Sequence, residues 1–317
     1  MTVSTDAQFG AETGRRGEWV RQPNHFRDRV TADGSSRYPV EAGRYHLIVS
    51  LACPWAQRSV IARRLLGLEG AISMTVVDPI RDENGWRFTL CPGGRDPVTG
   101  AAYLSELYEA SDPRFAGRWT VPTLYDTRSR RIVSNDYPQL TLDLSTEWTV
   151  LHRNGAPDLY PAALRDEIDA LNDMVYRDIN NGVYQAGFAT SQAAYEKAYD
   201  ALFARLDELS ERLSRQRYLM GERITEADIR LYTTLARFDA VYHGHFKCNR
   251  SKLAEMPVLW AYARDLYQTP GFGDTTDFDH IKRHYYGTHD KINPTGIVPK
   301  GPDVSGWTTP HGREGLD

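Results

Sequence analysis

The hydrophobic positions of this chain change period part-way along. Tyr45-His46-Leu47-Ile48-Val49 is an apolar run of strand length, and 71–78 (Ala-Ile-Ser-Met-Thr-Val-Val-Asp) is a second. Between them, 56–66 places Val60, Ile61, Leu65 and Leu66 on one side of a helix. A β-α-β start of this kind implies a parallel strand pair with a right-handed crossover. Residues 118–126 and 130–134 read as the arms of a hairpin, with a helix beginning at Asn135. Val121-Pro122 at the hairpin start is a place where a cis peptide can sit. From about Pro161 the spacing becomes three and four. Leu164, Ile168, Leu171, Val175 and Ile179 predict one amphipathic helix over 162–180. Tyr195, Tyr199, Leu202, Leu206, Leu209 and Leu213 predict another over 192–215. Thr225-Glu226-Ala227-Asp228 resembles a capping box before the apolar run 229–241, and 256–267 is a helix stopped by Pro270-Gly271.

The remaining segments lack a period. Residues 1–40 are polar and predict an irregular N-terminal arm, anchored by Trp19 and Phe26. Residues 291–317 are rich in Pro and Gly and predict an irregular C-terminal tail. The stretch 79–117 is long for a connection, with one short helix near 103–109; a loop of that length in a compact domain is usually either functional or a sign that its elements are wrongly assigned.

Composition narrows the class. With 317 residues, 41% hydrophobic and 25% charged, the chain has material for two ordinary globular domains. A net charge of -4 points to neither a nucleic-acid nor a membrane surface, and no apolar run is long enough to span a bilayer. The N-terminus lacks a signal-peptide core, and three cysteines are too few and odd in number for a disulfide framework. Both features predict a reducing, cytoplasmic setting.

The candidate chemistry sits at Cys53. It ends the first strand and begins the helix, where unpaired N–H groups and the helix dipole favour a thiolate and lower a thiol's pKa. Pro54 suits the first helical turn, and Arg58, Arg63 and Arg64 add positive potential. A buried structural cysteine is the competing reading. Cys53-Pro54-Trp55-Ala56 has no second cysteine, so a mixed disulfide here requires an external thiol to resolve it. Cys91 and Cys248 read as structural. His243, His245, His280 and His284 have no Cys or carboxylate at ligand spacing, and no metal site is expected.

The order of elements matches an α/β thioredoxin-like N-terminal domain (41–150) joined to an all-α C-terminal domain (160–290), the layout of glutathione transferases. Several blocks resemble the Xi class, the glutathionyl-hydroquinone reductases. They are Cys53-Pro54-Trp55-Ala56, Ile179-Asn180-Asn181-Gly182-Val183-Tyr184, Gly187-Phe188-Ala189, Phe238-Asp239-Ala240-Val241-Tyr242, His245-Phe246-Lys247-Cys248-Asn249, His280-Ile281-Lys282-Arg283-His284-Tyr285-Tyr286-Gly287 and Asn293-Pro294-Thr295-Gly296-Ile297-Val298-Pro299. The resemblance runs from about residue 40 to 302. It implies that Cys53 attacks the sulfur of a thioether-linked hydroquinone, with no bound cofactor and a low-molecular-weight thiol as co-substrate. It implies Tyr184 as proton donor or acceptor, and Tyr242 and Tyr285 as hydrogen-bond donors to the thiolate. Trp86, Arg118, Trp119, Thr120 and Val121 match the thiol-binding site. The class also implies a homodimer.

One place departs from the pattern. Where the class usually has Glu-Ser holding the γ-glutamyl end of glutathione, this chain has Asn135-Asp136-Tyr137-Pro138. Asp136 keeps a carboxylate, Tyr137 brings a bulky ring, and the Tyr137 N–H remains a candidate donor to a carboxylate. The first lysine is Lys197, and the Arg-rich composition suits a high-GC bacterium that uses mycothiol. The Tyr137 side chain is expected to crowd a γ-glutamyl group, so the natural thiol is expected not to be glutathione; glutathione and mycothiol are the two candidate thiols. Two other functions share parts of the pattern: an omega-like thioltransferase or dehydroascorbate reductase acting on small disulfides, and a non-catalytic thioredoxin-fold adaptor.

Overall fold

The computed structural model describes residues 12–316. In chain order its strands are β1 (Val30–Thr31), β2 (Tyr38–Pro39), β3 (Tyr45–Val49), β4 (Ile72–Val76), β5 (Thr123–Asp126) and β6 (Arg131–Ser134). Its helices are α1 (Pro54–Leu66), α2 (Leu104–Ser111), α3 (Tyr137–Thr146), α4 (Arg165–Met174), α5 (Gly182–Gly187), α6 (Gln192–Leu213), α7 (Glu226–Arg237), α8 (Pro257–Gln268) and α9 (Phe278–Thr288). The described residues form two compact units. The first is Gln22–Pro157 with Asp279–Ile297; the second is 12–21, Asp158–Phe278 and 298–316.

The first unit is built on a mixed sheet of order β4-β3-β5-β6. β3 pairs in parallel with β4 and antiparallel with β5. All five residues of β3 are buried, which explains its continuous apolar run: a strand covered on both faces has no polar alternation. α1 starts at Pro54, with Cys53 as N-cap, and ends at Gly67, which adopts φ +73. A Cβ on Gly67 would stand 2.6 Å from the Arg153 Cβ, so both the left-handed backbone and the close approach demand glycine.

The long stretch 79–117 is fixed to this sheet. The carboxylate of Asp96 is buried and pairs with His46 Nε2 at 3.2 Å, while Thr99 Oγ1 donates to it at 2.5 Å. Burial alone would raise the Asp96 pKa; the hydrogen bonds from His46, Thr99 and Thr75 reverse this and hold it well below the ordinary carboxylate value. The other His46 nitrogen, Nδ1, bonds Ser73 Oγ at 2.7 Å.

The second unit is helical, and its helices differ from the expected continuous ones. The predicted 162–180 helix is α4 followed by a π-helical segment, Val175–Asn180, and α5 then carries Tyr184. The predicted 229–241 helix is α7 followed by a second π segment, Phe238–Tyr242. A π segment widens one turn and re-aims the side chains after it, and such turns recur at functional sites. Thr225 caps α7: its N–H donates to Asp228 Oδ2 at 2.8 Å. Asp228 is fully buried and also accepts the Leu219 N–H and the Tyr262 hydroxyl.

The expected irregular arm is more ordered than its sequence implies. Residues 1–11 lie outside the described residues. Thr13 and Trp19 form a bridge, Thr190 N–H donates to Gly17 O at 2.9 Å, and Ser191 Oγ donates to Arg16 O at 2.7 Å. Trp19 is buried within the second unit, while Val30–Thr31 and Tyr38–Pro39 pair as a small parallel ladder in the first. Backbone bonds and isolated aromatic anchors leave no periodic trace, which is why the sequence reads as formless. The tail is likewise pinned. Trp307 packs edge-on against Trp260, and Arg313 Nη2 donates to the carbonyls of Leu213, Gln216 and Arg217.

Candidate active site

In the first unit the buried strand β3 delivers the chain to Cys53. The residue has extended backbone (φ -81, ψ 120), and its side chain caps nothing. Its thiol instead points across to the loop before β5, where Sγ lies 3.5 Å from the Val121 carbonyl oxygen as donor. The Val121-Pro122 peptide is cis. The loop that presents Val121 is held from behind. The buried Tyr108 hydroxyl donates to Thr120 O at 2.9 Å, and Asn135 Nδ2 donates to Thr120 Oγ1 at 2.9 Å. Asn135 Oδ1 accepts the Phe26 N–H at 2.9 Å, and Asn24 Nδ2 donates to Asp136 at 2.8 Å.

Tyr137 is buried, and its ring packs 4.6 Å from the ring of Trp55. The Arg58 guanidinium lies 4.6 Å from the centroid of Trp55 and 5.8 Å from that of Tyr137. Arg58 is itself almost fully buried, so a fixed positive charge sits within the first turns of the helix that Cys53 begins. The Tyr137 N–H, considered as a carboxylate donor, is committed to the Asn135 carbonyl at 3.0 Å. Cys53, Thr120, Val121, Asp136 and Tyr137 thus belong to one connected set of contacts.

Arg118 and Trp119 continue the same loop. The Arg118 N–H donates to Gln22 Oε1 at 2.8 Å. The Trp119 ring lies so close to Gly85 that a Cβ there would be 2.7 Å from it. Next to Gly85, Trp86 is buried and stacks on His284 of α9, with centroids 5.0 Å apart, and the Arg81 guanidinium stands 5.1 Å from its ring. His284 Nδ1 bonds the Pro79 carbonyl at 2.8 Å, and the following residue, Tyr285, is buried with its ring against His289. Trp86 and Tyr285 are therefore both placed by α9.

In the second unit Tyr184 and Tyr242 share an aromatic cluster. Tyr184 stacks on Trp19 at 5.6 Å, meets Phe246 at 5.4 Å, and faces Tyr242 at 6.0 Å. Tyr242 in turn stacks on Phe246 at 5.5 Å. Each tyrosine sits at or after a π segment: Tyr242 closes the second, and the first is tied to α7 because Asn180 Nδ2 donates to Arg230 O and to Thr234 Oγ1. The other two cysteines lie in settings that disfavour a thiolate. Burial pushes up the Cys91 thiol and, far more strongly, that of Cys248. Burial lowers His245 to about 4, so it is neutral near pH 7. Among the described residues no three His, Cys, Asp or Glu side chains gather as metal ligands, and no helix is long and apolar enough to cross a membrane.

Residues 192–265 match the family model "Glutathione S-transferase, C-terminal domain". Glutathionyl-hydroquinone reductase YqjG of Escherichia coli is 45% identical over 309 residues, covering 94% of this chain and 93% of that protein. This chain belongs to the glutathionyl-hydroquinone reductase family of glutathione transferases. The glutathione-bound structure of YqjG superposes with a TM-score of 0.87 at 46% identity, over 91% of this chain and 96% of that one. A glutathione transferase from Gordonia bronchialis gives a TM-score of 0.91 at 61% identity over 92% of each chain. The Xi class enzyme of Natrialba magadii gives 0.88 at 46%, over 95% of this chain and 96% of that one. The glutathione transferase fold expected from the element order is the fold observed, and as a member of this family the chain is an enzyme.

Family membership leaves several supporting residues that the sequence did not reveal. Gln22, Asn24 and Asn135 hold the loop and helix start around Cys53, yet each is an ordinary polar residue in an aperiodic stretch. Arg21 faces Tyr184 from the arm, with nothing in its neighbours to mark it. The run Asn135-Asp136-Tyr137-Pro138, in place of the usual Glu-Ser, was the local signal that this helix start is unusual.

Proposed function

We propose that this chain is a thiol-dependent reductase of S-conjugated hydroquinones, with glutathione as co-substrate. The observation that carries the reading is Cys53 itself: a lone cysteine at a helix N-terminus, its sulfur against Val121 and a buried Arg58 one turn on. The helix terminus and the guanidinium both favour the thiolate. Cys53 attacks the sulfur of the conjugate. The aromatic carbon–sulfur bond breaks, the carbon takes the bonding electron pair and a proton from Tyr184, and Cys53 is left as a mixed disulfide. A second glutathione thiolate then attacks that disulfide, releasing glutathione disulfide and the Cys53 thiolate. Conjugate and thiol are converted to hydroquinone and disulfide with no other oxidant or reductant.

The remaining roles follow the resemblance. Tyr242 and Tyr285 donate hydrogen bonds to the thiolate, while Trp86, Arg118, Trp119, Thr120, Val121, Asp136 and Tyr137 hold the thiol. The hydrogen-bonded frame of Thr120 and Val121 supports a backbone contact to a cysteinyl moiety. The Tyr137 ring is folded against Trp55, which supports room for a glutathione γ-glutamyl group beside Asp136. Mycothiol is the competing donor, because Asp136-Tyr137 departs from the usual pair. Cytoplasmic location and a homodimer complete the proposal, supported by three cysteines left as thiols and by the family.

The test is turnover of an S-glutathionyl hydroquinone with glutathione or with mycothiol as reductant. The expected result is one hydroquinone and one disulfide per cycle, faster with glutathione, and a loss of roughly 10²-fold or more in hydroquinone release in Tyr184→Phe. Brisk exchange of small disulfides without hydroquinone release would replace this reading with a thioltransferase. Preference for mycothiol would reassign the thiol alone.

A further inference from the structure

Tyr184 has a cation on its ring. The Arg21 guanidinium carbon stands 4.9 Å from the Tyr184 centroid and 4.7 Å from that of Trp19. Trp19 and Tyr184 are themselves close to parallel, 25° apart. Arg21 Nε donates to Asn181 Oδ1 at 3.0 Å, and Asn181 is the residue from which α5 starts. The arm before Arg21 is fastened to the same unit through Gly17 and Arg16 at the start of α6. These are several independent restraints on one side chain, and they fix its charge against one phenol. Arg21 also lines a cleft of about 580 Å³ with Lys197, Gln185 and Asp178 among its walls. Arg21 is half-buried there. A guanidinium keeps its charge under all working conditions.

We propose that Arg21 is a positioning residue for Tyr184: it orients the phenol and stabilises the electron-rich ring left when that phenol gives up its proton. The inference rests on the proposed proton-donor role of Tyr184. The attraction of a cation to a ring face grows as the ring becomes anionic, because the quadrupole is joined by a net charge. Arg21 therefore favours the ionised phenol over the neutral one, which makes the phenol a better acid towards the carbon. Arg21 from the arm and Tyr242 from the second π segment both face Tyr184. The other rings packed on it, Trp19, Phe188 and Phe246, carry no charge, and His245 stands behind Phe246 and is neutral near pH 7.

The two half-reactions separate this role from a merely structural one. Breaking the carbon–sulfur bond requires a proton for carbon; resolving the Cys53 mixed disulfide with glutathione does not. The experiment measures both steps across pH in the wild type, Arg21→Gln, Arg21→Lys and Tyr184→Phe. Removing the cation makes the phenol harder to ionise, so in Arg21→Gln the basic limb of hydroquinone release moves up by about one pH unit. The rate near neutral pH falls roughly threefold to tenfold, in line with a weaker acid. Arg21→Lys, which keeps charge but loses the planar stack, falls between. The rate of mixed-disulfide resolution stays at the wild-type value. Asn181→Ala releases Arg21 without removing it and gives a smaller shift of the same sign, which keeps the test available if Arg21→Gln folds poorly.

An unmoved pH profile in Arg21→Gln or Asn181→Ala overturns the inference. An equal loss in both half-reactions also overturns it, since that marks a general structural role. If Tyr184→Phe releases hydroquinone at the wild-type rate with an unchanged profile, the donor assignment itself fails, and Arg21 falls with it for a distinguishable reason.

Discussion

At the scale of single residues, the three cysteines separate by environment. Cys53 stands at the N-cap position of α1 beside Val121 and is part-exposed, whereas Cys248 is fully buried and its thiol is pushed far up by desolvation. Cys91 is also raised, by a smaller margin. Alkylation reacts through the thiolate, so brief treatment with iodoacetamide at pH 7 is expected to modify Cys53 first and to leave Cys248 untouched in the native protein. Peptide mapping checks this; modification of Cys91 ahead of Cys53 would mean that the helix terminus and Arg58 do not favour the thiolate. The chemical position of Cys53 was legible in sequence because it depends on local features: a strand end, a proline and a helix start. Tyr137 was legible only as an anomaly. Its ring settles against Trp55 and its N–H against Asn135, outcomes that depend on a contact 82 residues apart in the chain and on a backbone turn.

At the scale of elements, the aromatic cluster is tuned by one glycine. A Cβ on Gly187 would collide with the Phe246 ring, the ring on which both Tyr184 and Tyr242 pack. Gly187→Ala is therefore expected to displace Phe246, to cost about 1–3 kcal/mol of stability through overpacking, and to slow hydroquinone release more than mixed-disulfide resolution. Denaturant unfolding together with the two half-reaction rates checks this, and an unaltered stability would show that α5 yields freely at that point. The strands, the order of helices and the α7 capping box were readable, because period and capping chemistry are short-range. The π segments at Val175–Asn180 and Phe238–Tyr242 were not. An extra residue in one turn alters the apolar spacing too little to stand out from a regular helix. What holds the first of them, Asn180 bonded to Arg230 O and Thr234 Oγ1, spans 50 residues or more.

At the scale of the whole molecule, the proposed activity begins at one sulfur atom. The fold places Cys53 at the end of a fully buried strand, and the family supplies the class of conjugate it is proposed to open. The arm and tail contribute fixed contacts that no periodicity announces: Trp19 and Arg21 against Tyr184, and Arg313 against the end of α6 and the residues after it. The most direct test of the central claim is a single turnover without free thiol. Wild type and Cys53→Ser are mixed with excess S-glutathionyl hydroquinone, and both released hydroquinone and intact protein mass are measured. The account predicts one hydroquinone per wild-type chain, one glutathionyl group mapped to Cys53, and neither product from Cys53→Ser. Hydroquinone released equally by Cys53→Ser, or released by the wild type with no glutathionyl group on Cys53, would contradict it.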